Sequence, residues 1–203
     1  MRHKRRGRQL GRNSAHRKAL FRNLACQLFL TEQDDDAYEF LFQADGKTPI
    51  NPPKVKGRIV TTLQKAKEVR SLTEKCITIA KKAVAAQSEA NSLASSDEKG
   101  SAAWVTWRKG AGWQKWSAAN APVLTARRRL ISMLADEKAV NLLMDKIAPR
   151  FVDREGGYTR VLRLSERRLG DAGQKAIIEL VGKHDRVVVS ATAPAFEGSA
   201  AGE

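Results

Sequence analysis

The sequence predicts an α+β chain with a basic N-terminal arm, and three observations predict it. Apolar residues recur at three- and four-residue steps over long stretches, which is the spacing of one helix face. Three short runs, residues 58–62, 158–164 and 175–181, carry strand-forming side chains between turn residues. Nine Lys or Arg side chains stand within the first thirty-one residues, and the first acid is Glu32.

The arm comes first. Met1-Arg2-His3-Lys4-Arg5-Arg6-Gly7-Arg8 leads through Leu10, Gly11 and Arg12. So dense a block of one sign repels itself and stays compact only beside a polyanion. Gly7 and Gly11 let the backbone approach a surface closely. A helix follows, with Asn13 or Ser14 able to accept a hydrogen bond from a free first-turn amide. Leu20, Leu24 and Leu28 form its apolar stripe, widened by Phe21 and Ala25 and flanked by Lys18 and Arg22. The picture is an arm, unfolded alone, that follows a phosphate backbone and is held in place by a helix packed on a core. A solvated tail or a targeting signal is the plainer alternative. Transit peptides are Arg-rich, but they are also amphipathic and Ser-rich, which the glycines and the Arg density here fit poorly.

Residues 32–46 invert the charge, with Glu32, Asp34, Asp35, Asp36, Glu39 and Asp45 and no Lys or Arg. They read either as an exposed loop kept off nucleic acid or as an acidic-aromatic patch docked on a basic neighbour. The Pro-rich run at residues 48–53 excludes a helix and reads as an extended connector. After the strand at 58–62, a long helix is expected from about Thr62 to Ala86 on the stripe Leu63, Ala66, Val69, Leu72, Cys76 and Ala83. Lys65, Lys67, Arg70, Lys75, Lys81 and Lys82 lie mostly off that stripe, as a nucleic-acid face or an ordinary solvated one.

Residues 87–122 change character. Ser, Ala and Gly dominate, and then Trp104, Trp107, Trp113 and Trp116 fall within thirteen residues around Gly110-Ala111-Gly112. A helical hairpin burying its own tryptophans is one reading. The other is a contact surface, because Trp is enriched among interface anchors and stacks on unpaired bases beside cations such as Arg108, Lys109 and Lys115. Two shorter helices are expected next, one from about Thr125 to Leu134 and one capped by Asp136 and ended by Pro149.

The segment from Arg150 to Arg160 holds Arg154, Gly156, Gly157, Tyr158 and Arg160. The glycines supply a turn, and the arginines and ring suit phosphate contacts with a ring for stacking. A structural turn with solvated arginines fits the composition equally well. The strands at 158–164 and 175–181, with the nine-residue loop 165–173 between them, read as an antiparallel pair.

Composition sets the function classes. The net charge of +15 and pI of about 10.2 point to nucleic acid or an anionic surface. No apolar run is long enough to span a bilayer. Cys26 and Cys76 lack a CxxC partner or a nearby His pair and read as buried core residues in a reducing compartment. No phosphate loop, metal-ligand cluster or activated nucleophile stands out, so the chain reads as no enzyme, without cofactor or metal.

The opening Met-Arg-His-Lys-Arg-Arg-Gly-Arg-Gln-Leu-Gly-Arg-Asn-Ser-Ala-His-Arg-Lys-Ala-Leu resembles that of the seventeenth large-subunit ribosomal protein family of bacteria. The blocks 58–70, 147–160, 170–172 and 176–181 are similar to its later blocks, in the same order. The resemblance implies a two-layer α+β fold, with several helices packed on a small mixed sheet. It implies a cytoplasmic structural constituent of the large subunit that binds ribosomal RNA near the polypeptide exit tunnel and supports assembly beside neighbouring ribosomal proteins. Membrane and small-molecule substrate have no place in that role. Carried over residue by residue, RNA-binding positions are Arg2, His3, Lys4, Arg5, Arg6, Arg8, Arg12, His16, Arg17, Lys18 and Arg22 in the arm, and Arg154, Tyr158 and Arg160 in the final turn. On this reading residues 1–13 are the arm and residues 14–184 one domain, interrupted at about 33–56 and 87–122. Residues 185–203 are then a disordered tail. A DNA-binding nucleoid-type protein is the alternative function, although no groove-reading helix is apparent.

Overall fold

The computed structural model describes residues 7–35 and 53–182. The first half-dozen arm residues, most of the acidic and Pro-rich stretch, and the expected disordered tail therefore lie outside the described residues. Five α-helices and three strands follow in the order α1 (Ser14–Leu30), β1 (Arg58–Thr62), α2 (Leu63–Leu93), α3 (Ala102–Lys109), α4 (Ala111–Leu134), α5 (Glu137–Leu142), β2 (Thr159–Arg167) and β3 (Gln174–Leu180). The α+β class stands. The sheet is antiparallel in both pairings, in the order β1-β3-β2, and not mixed. The chain reaches β3 from β2 by a hairpin, and β1 takes the free edge of β3, also antiparallel.

Side chains alternate across a strand, and on β3 Ala176, Ile178 and Leu180 are fully buried. They meet Ala66, Val69, Cys76 and Ile77 of α2, Ala25, Leu28 and Phe29 of α1, and Leu130 and Leu134 of α4 in one core. Phe29 is fully enclosed, so Phe29→Ala would cost about 3–5 kcal/mol. The buried side of α1 runs through Ala25, Cys26, Leu28 and Phe29, while Leu20 and Leu24 are only half-buried. Both thiols sit in this core. Burial pushes Cys26 up to about 11, with Asp136 adding to the effect, and pushes Cys76 up to about 12.

Two helices are longer than their patterns suggest. α2 continues past Ala86 to Leu93, and α4 begins at Ala111 rather than near Thr125. Pro122 lies inside α4 and removes one backbone donor, yet the helix persists because Val123, Leu130 and Leu134 are buried as it packs along α2. The stretch 87–122 is thus an extension of a two-helix hairpin, with α3 as its outer end. Asp136 caps α5, accepting from Ala139 N at 3.1 Å. That helix passes into a wider turn at Leu143–Ile147 and a tighter one at Ala148–Phe151, where Pro149 ends it. β2 runs to Arg167, beyond the expected Leu164, so the hairpin loop is shorter than nine residues. Arg168 pairs with Asp171 there, drawing that carboxyl far below its usual range.

Candidate nucleic-acid interface

Strand register builds the centre of the site. Arg58 on β1 and Arg160 on β2 both stand opposite Glu179 on β3. Glu179 points away from the face of Ala176, Ile178 and Leu180, onto the opposite side of the sheet. There it is 1% exposed because two guanidiniums close over it. Arg160 donates from Nε at 2.8 Å and lies 2.7 Å away through Nη2, and Arg58 Nη2 lies 3.2 Å from the other oxygen. Among the described residues the two guanidiniums share this one carboxylate. The next row holds Val60, Ile177 and Leu162, with Val60 60% exposed.

The row of Arg58, Glu179 and Arg160 floors an open cleft of about 1170 Å³ that wraps the β2 edge. Among the described residues six cations line it, namely Arg58, Lys67, Arg70, Arg154, Arg160 and Arg163, against the single acid Glu179. Clefts lined by one sign of charge concentrate counter-ions and steer polyanions. Some of this charge is held by neighbours: Arg70 Nε donates to Glu74 at 2.9 Å, and Arg154 Nε to the Gly156 carbonyl at 3.1 Å.

The arm reaches the same turn of α2. Gly7 packs against Glu68, where an added Cβ would lie 3.2 Å from Oε2. Arg8 Nη1 donates to Glu68 at 2.8 Å, one residue along from Lys67. Leu10 and Gly11 both adopt positive φ, and Arg12 folds back to donate to the Leu10 carbonyl at 2.7 Å. Asn13 then caps α1, its side chain accepting from His16 N at 2.8 Å. His16 and Lys18 are exposed on that helix, and Arg17 is half-buried. Arg22 is a strut, donating from Nη2 to the Ser132 carbonyl of α4 at 3.2 Å. Arg2, His3, Lys4, Arg5 and Arg6 lie outside the described residues.

The structure corrects one role. Tyr158 is 1% exposed, packed on Phe151 at 5.2 Å between centroids and beneath Lys81. Its ring cannot stack on a base. Tyr158 stands just before β2, where the Gly156-Gly157 turn folds the chain back onto Phe151 and α2. Lys81, one of the six cations of the expected basic face, instead donates to the Arg154 carbonyl at 2.7 Å and fixes the turn. The cleft adds Arg58, Lys67, Arg70 and Arg163, which the sequence did not single out as site residues. Lys67 and Arg70 were visible as a basic face, but Arg58 becomes a site residue only through strand register.

The described part of the acidic stretch docks on the chain itself. Glu32 is buried and meets Arg150 at 3.1 Å, Asp34 meets Lys146 at 2.6 Å, and Asp35 meets Lys56 at 2.9 Å. The hydrogen bond from Lys146 lowers the Asp34 carboxyl below its usual range. Among the described residues no group of His, Cys, Asp and Glu could hold a metal ion, and no helix is long and apolar enough to cross a membrane.

The family model for Ribosomal protein L17 matches residues 55–181. The Large ribosomal subunit protein bL17 of Rhodopirellula baltica is 54% identical over 200 residues, spanning 98% of this chain and 90% of its own length. The protein of that name from Halothermothrix orenii is 36% identical, over 86% of this chain and 96% of its own. The one from Thermus thermophilus is 35% identical, over 89% of this chain and 99% of its own.

Proposed function

We infer that the chain, which belongs to the ribosomal protein L17 family, works in the cytoplasm as a structural, non-enzymatic constituent of the large ribosomal subunit. It binds large-subunit ribosomal RNA with its arm and its basic cleft, beside neighbouring ribosomal proteins. The position near the polypeptide exit tunnel and the support of assembly rest on the family resemblance. Residues 1–13 serve as the RNA-binding arm on one domain, 14–184.

The observation that carries the RNA contact is the cleft, where six cations surround one committed carboxylate at the point where the arm leaves α2. The mechanism is charge neutralisation with release of counterions, plus the fit of a rigid sheet edge to a folded backbone. The register holds Arg58 and Arg160 at fixed separation, so phosphates meet guanidiniums that are already ordered. Salt dependence tests this directly. Log affinity for folded ribosomal RNA fragments is expected to fall linearly with log salt, by roughly 0.7–0.9 per phosphate contacted. Removing residues 1–12 should flatten that slope, and duplex DNA of equal length should compete poorly. Salt-insensitive binding, or equal competition by DNA, overturns the reading. Co-sedimentation with the large subunit at moderate salt tests the location.

A further inference from the structure

The outer end of the α2–α4 hairpin plays no part in that function, although it holds all four tryptophans of the chain. None of the indoles joins the main core, and each is only half-buried. α3 contains no buried residue. The rings are nonetheless ordered against each other. Trp107 stands perpendicular to Trp113 at 5.6 Å, and Trp113 lies 4.8 Å from Trp116. The Arg108 guanidinium sits over Trp104 at 5.0 Å and over Trp113 at 5.1 Å. Gly112 permits this packing, since a Cβ there would come within 2.6 Å of the Trp107 ring. Together the rings wall an open pocket of about 350 Å³ with Lys99 and Arg108 at its rim.

Mutual packing accounts for the order but not for four large rings left half-exposed at a projecting end. Charge decides what would cover them. Around the rings stand Lys99, Arg108, Lys109 and Lys115, all exposed, against the two acids Asp97 and Glu98 that precede Lys99. A surface with twice as many cations as acids beside ordered indoles suits a ligand that is anionic along its length and flat where it inserts. Single-stranded nucleic acid has that chemistry, because every base offers a π-face and every link a phosphate. We propose that this end is a second RNA contact, which takes one unpaired base of a ribosomal RNA loop between its indoles while Lys99 and Arg108 meet the flanking phosphates. The proposal rests on the RNA-binding reading above and adds a separate site to it.

Because every tryptophan lies here, intrinsic emission reads this site alone. The full chain is titrated with a short oligoadenylate and with an abasic oligonucleotide of equal length, following binding by filter retention and emission together. Oligoadenylate should quench saturably, while the abasic backbone should bind through the arm and cleft and leave emission unchanged. Trp104→Leu should weaken oligoadenylate binding about tenfold, and Trp104→Phe, which keeps a stacking face, should restore most of it. If both probes bind and neither quenches, this proposal falls and the arm and cleft survive. If neither probe binds, the RNA-binding reading falls with it. If naked RNA is silent and emission shifts only when large-subunit proteins are added, the occupant is a protein and the proposal is overturned.

Discussion

Replacing Glu179 with Gln should make the protein less stable and more strongly attracted to RNA. Glu179 is the buried counter-charge of two guanidiniums, at 2.7 and 3.2 Å. Removing one partner of a fully buried pair costs about 3–5 kcal/mol. Here the arginine side chains are 27% and 39% exposed, so water recovers part of that loss, and the Gln oxygen still accepts one hydrogen bond. A cost of about 2 kcal/mol remains after that discount. For a chain of this size that lowers the melting midpoint by about 4–8 °C. The cleft meanwhile loses its one acid among six cations, so its net charge goes from +5 to +6. The log–log salt slope for a ribosomal RNA fragment should steepen by up to about 0.9 for each phosphate gained. Thermal unfolding by circular dichroism and salt-titrated filter binding read the two effects separately. The reasoning is refuted if the midpoint holds, since Glu179 would then not be the counter-charge. A shallower slope would also refute it, since the arginines would then need the carboxylate in order to bind.

Deleting residues 90–120, which rejoins α2 and α4 directly, should leave cooperative unfolding and the arm's salt slope intact; a variant that fails to fold would place the tryptophans in the main core. Gly112→Ala puts a Cβ 2.6 Å from the Trp107 ring and should erase most of the near-ultraviolet tryptophan signal, at a cost of about 1–3 kcal/mol. The thiols set an alkaline limit. Unfolded thiols ionise near 9, whereas burial holds native Cys26 and Cys76 up to about 11 and about 12, so above about pH 9 the unfolded chain has released protons the native state keeps. Their contribution is complete below pH 9 and declines as pH rises towards 11, and urea titrations of Cys76→Ala should show a smaller decline.

The elements themselves were readable where local chemistry decides them. Asn13 or Ser14 announces the start of α1, and the structure shows the Asn13 side chain capping it. All three strands stand where the strand-forming runs place them, within one residue except at the C-terminal end of β2. Legibility failed where distant residues decide. Ser, Ala and Gly between residues 87 and 122 read as a break, because the packing of α4 along α2 that keeps both helical is not a local property. The same holds for Pro122, which argues against a helix until Val123 and Leu130 are seen buried. The Arg58–Glu179–Arg160 row depends on pairing across more than a hundred residues, so neither the first arginine nor the acid invited notice. Tyr158 misled for a related reason. A tyrosine after two glycines looks exposed, but the turn it follows is folded back and held by Lys81, which lays the ring on Phe151.

A chain with a net charge of +15 must explain how its core tolerates its surface. The described acids supply the explanation by their positions. Glu32 secures the end of α1 to Arg150, Asp34 reaches Lys146, and Asp35 reaches Lys56. Glu68 ties the arm's root to α2 through Arg8, and Glu74 braces Arg70 while accepting from Thr159. Glu179 holds the two outer strands to the middle one. Each of these carboxylates joins two elements, so the acids act as internal fasteners. Exposed single pairs of this kind contribute little apiece, but the two buried carboxylates, Glu32 and Glu179, lie where losing either would strand its partners. The excess cations are left on the arm, the cleft and the hairpin end, where mutual repulsion opposes compactness only weakly across water and salt. A polyanion that neutralises those three surfaces would therefore stabilise the fold as it binds, since the repulsion it removes is the part the internal acids do not offset.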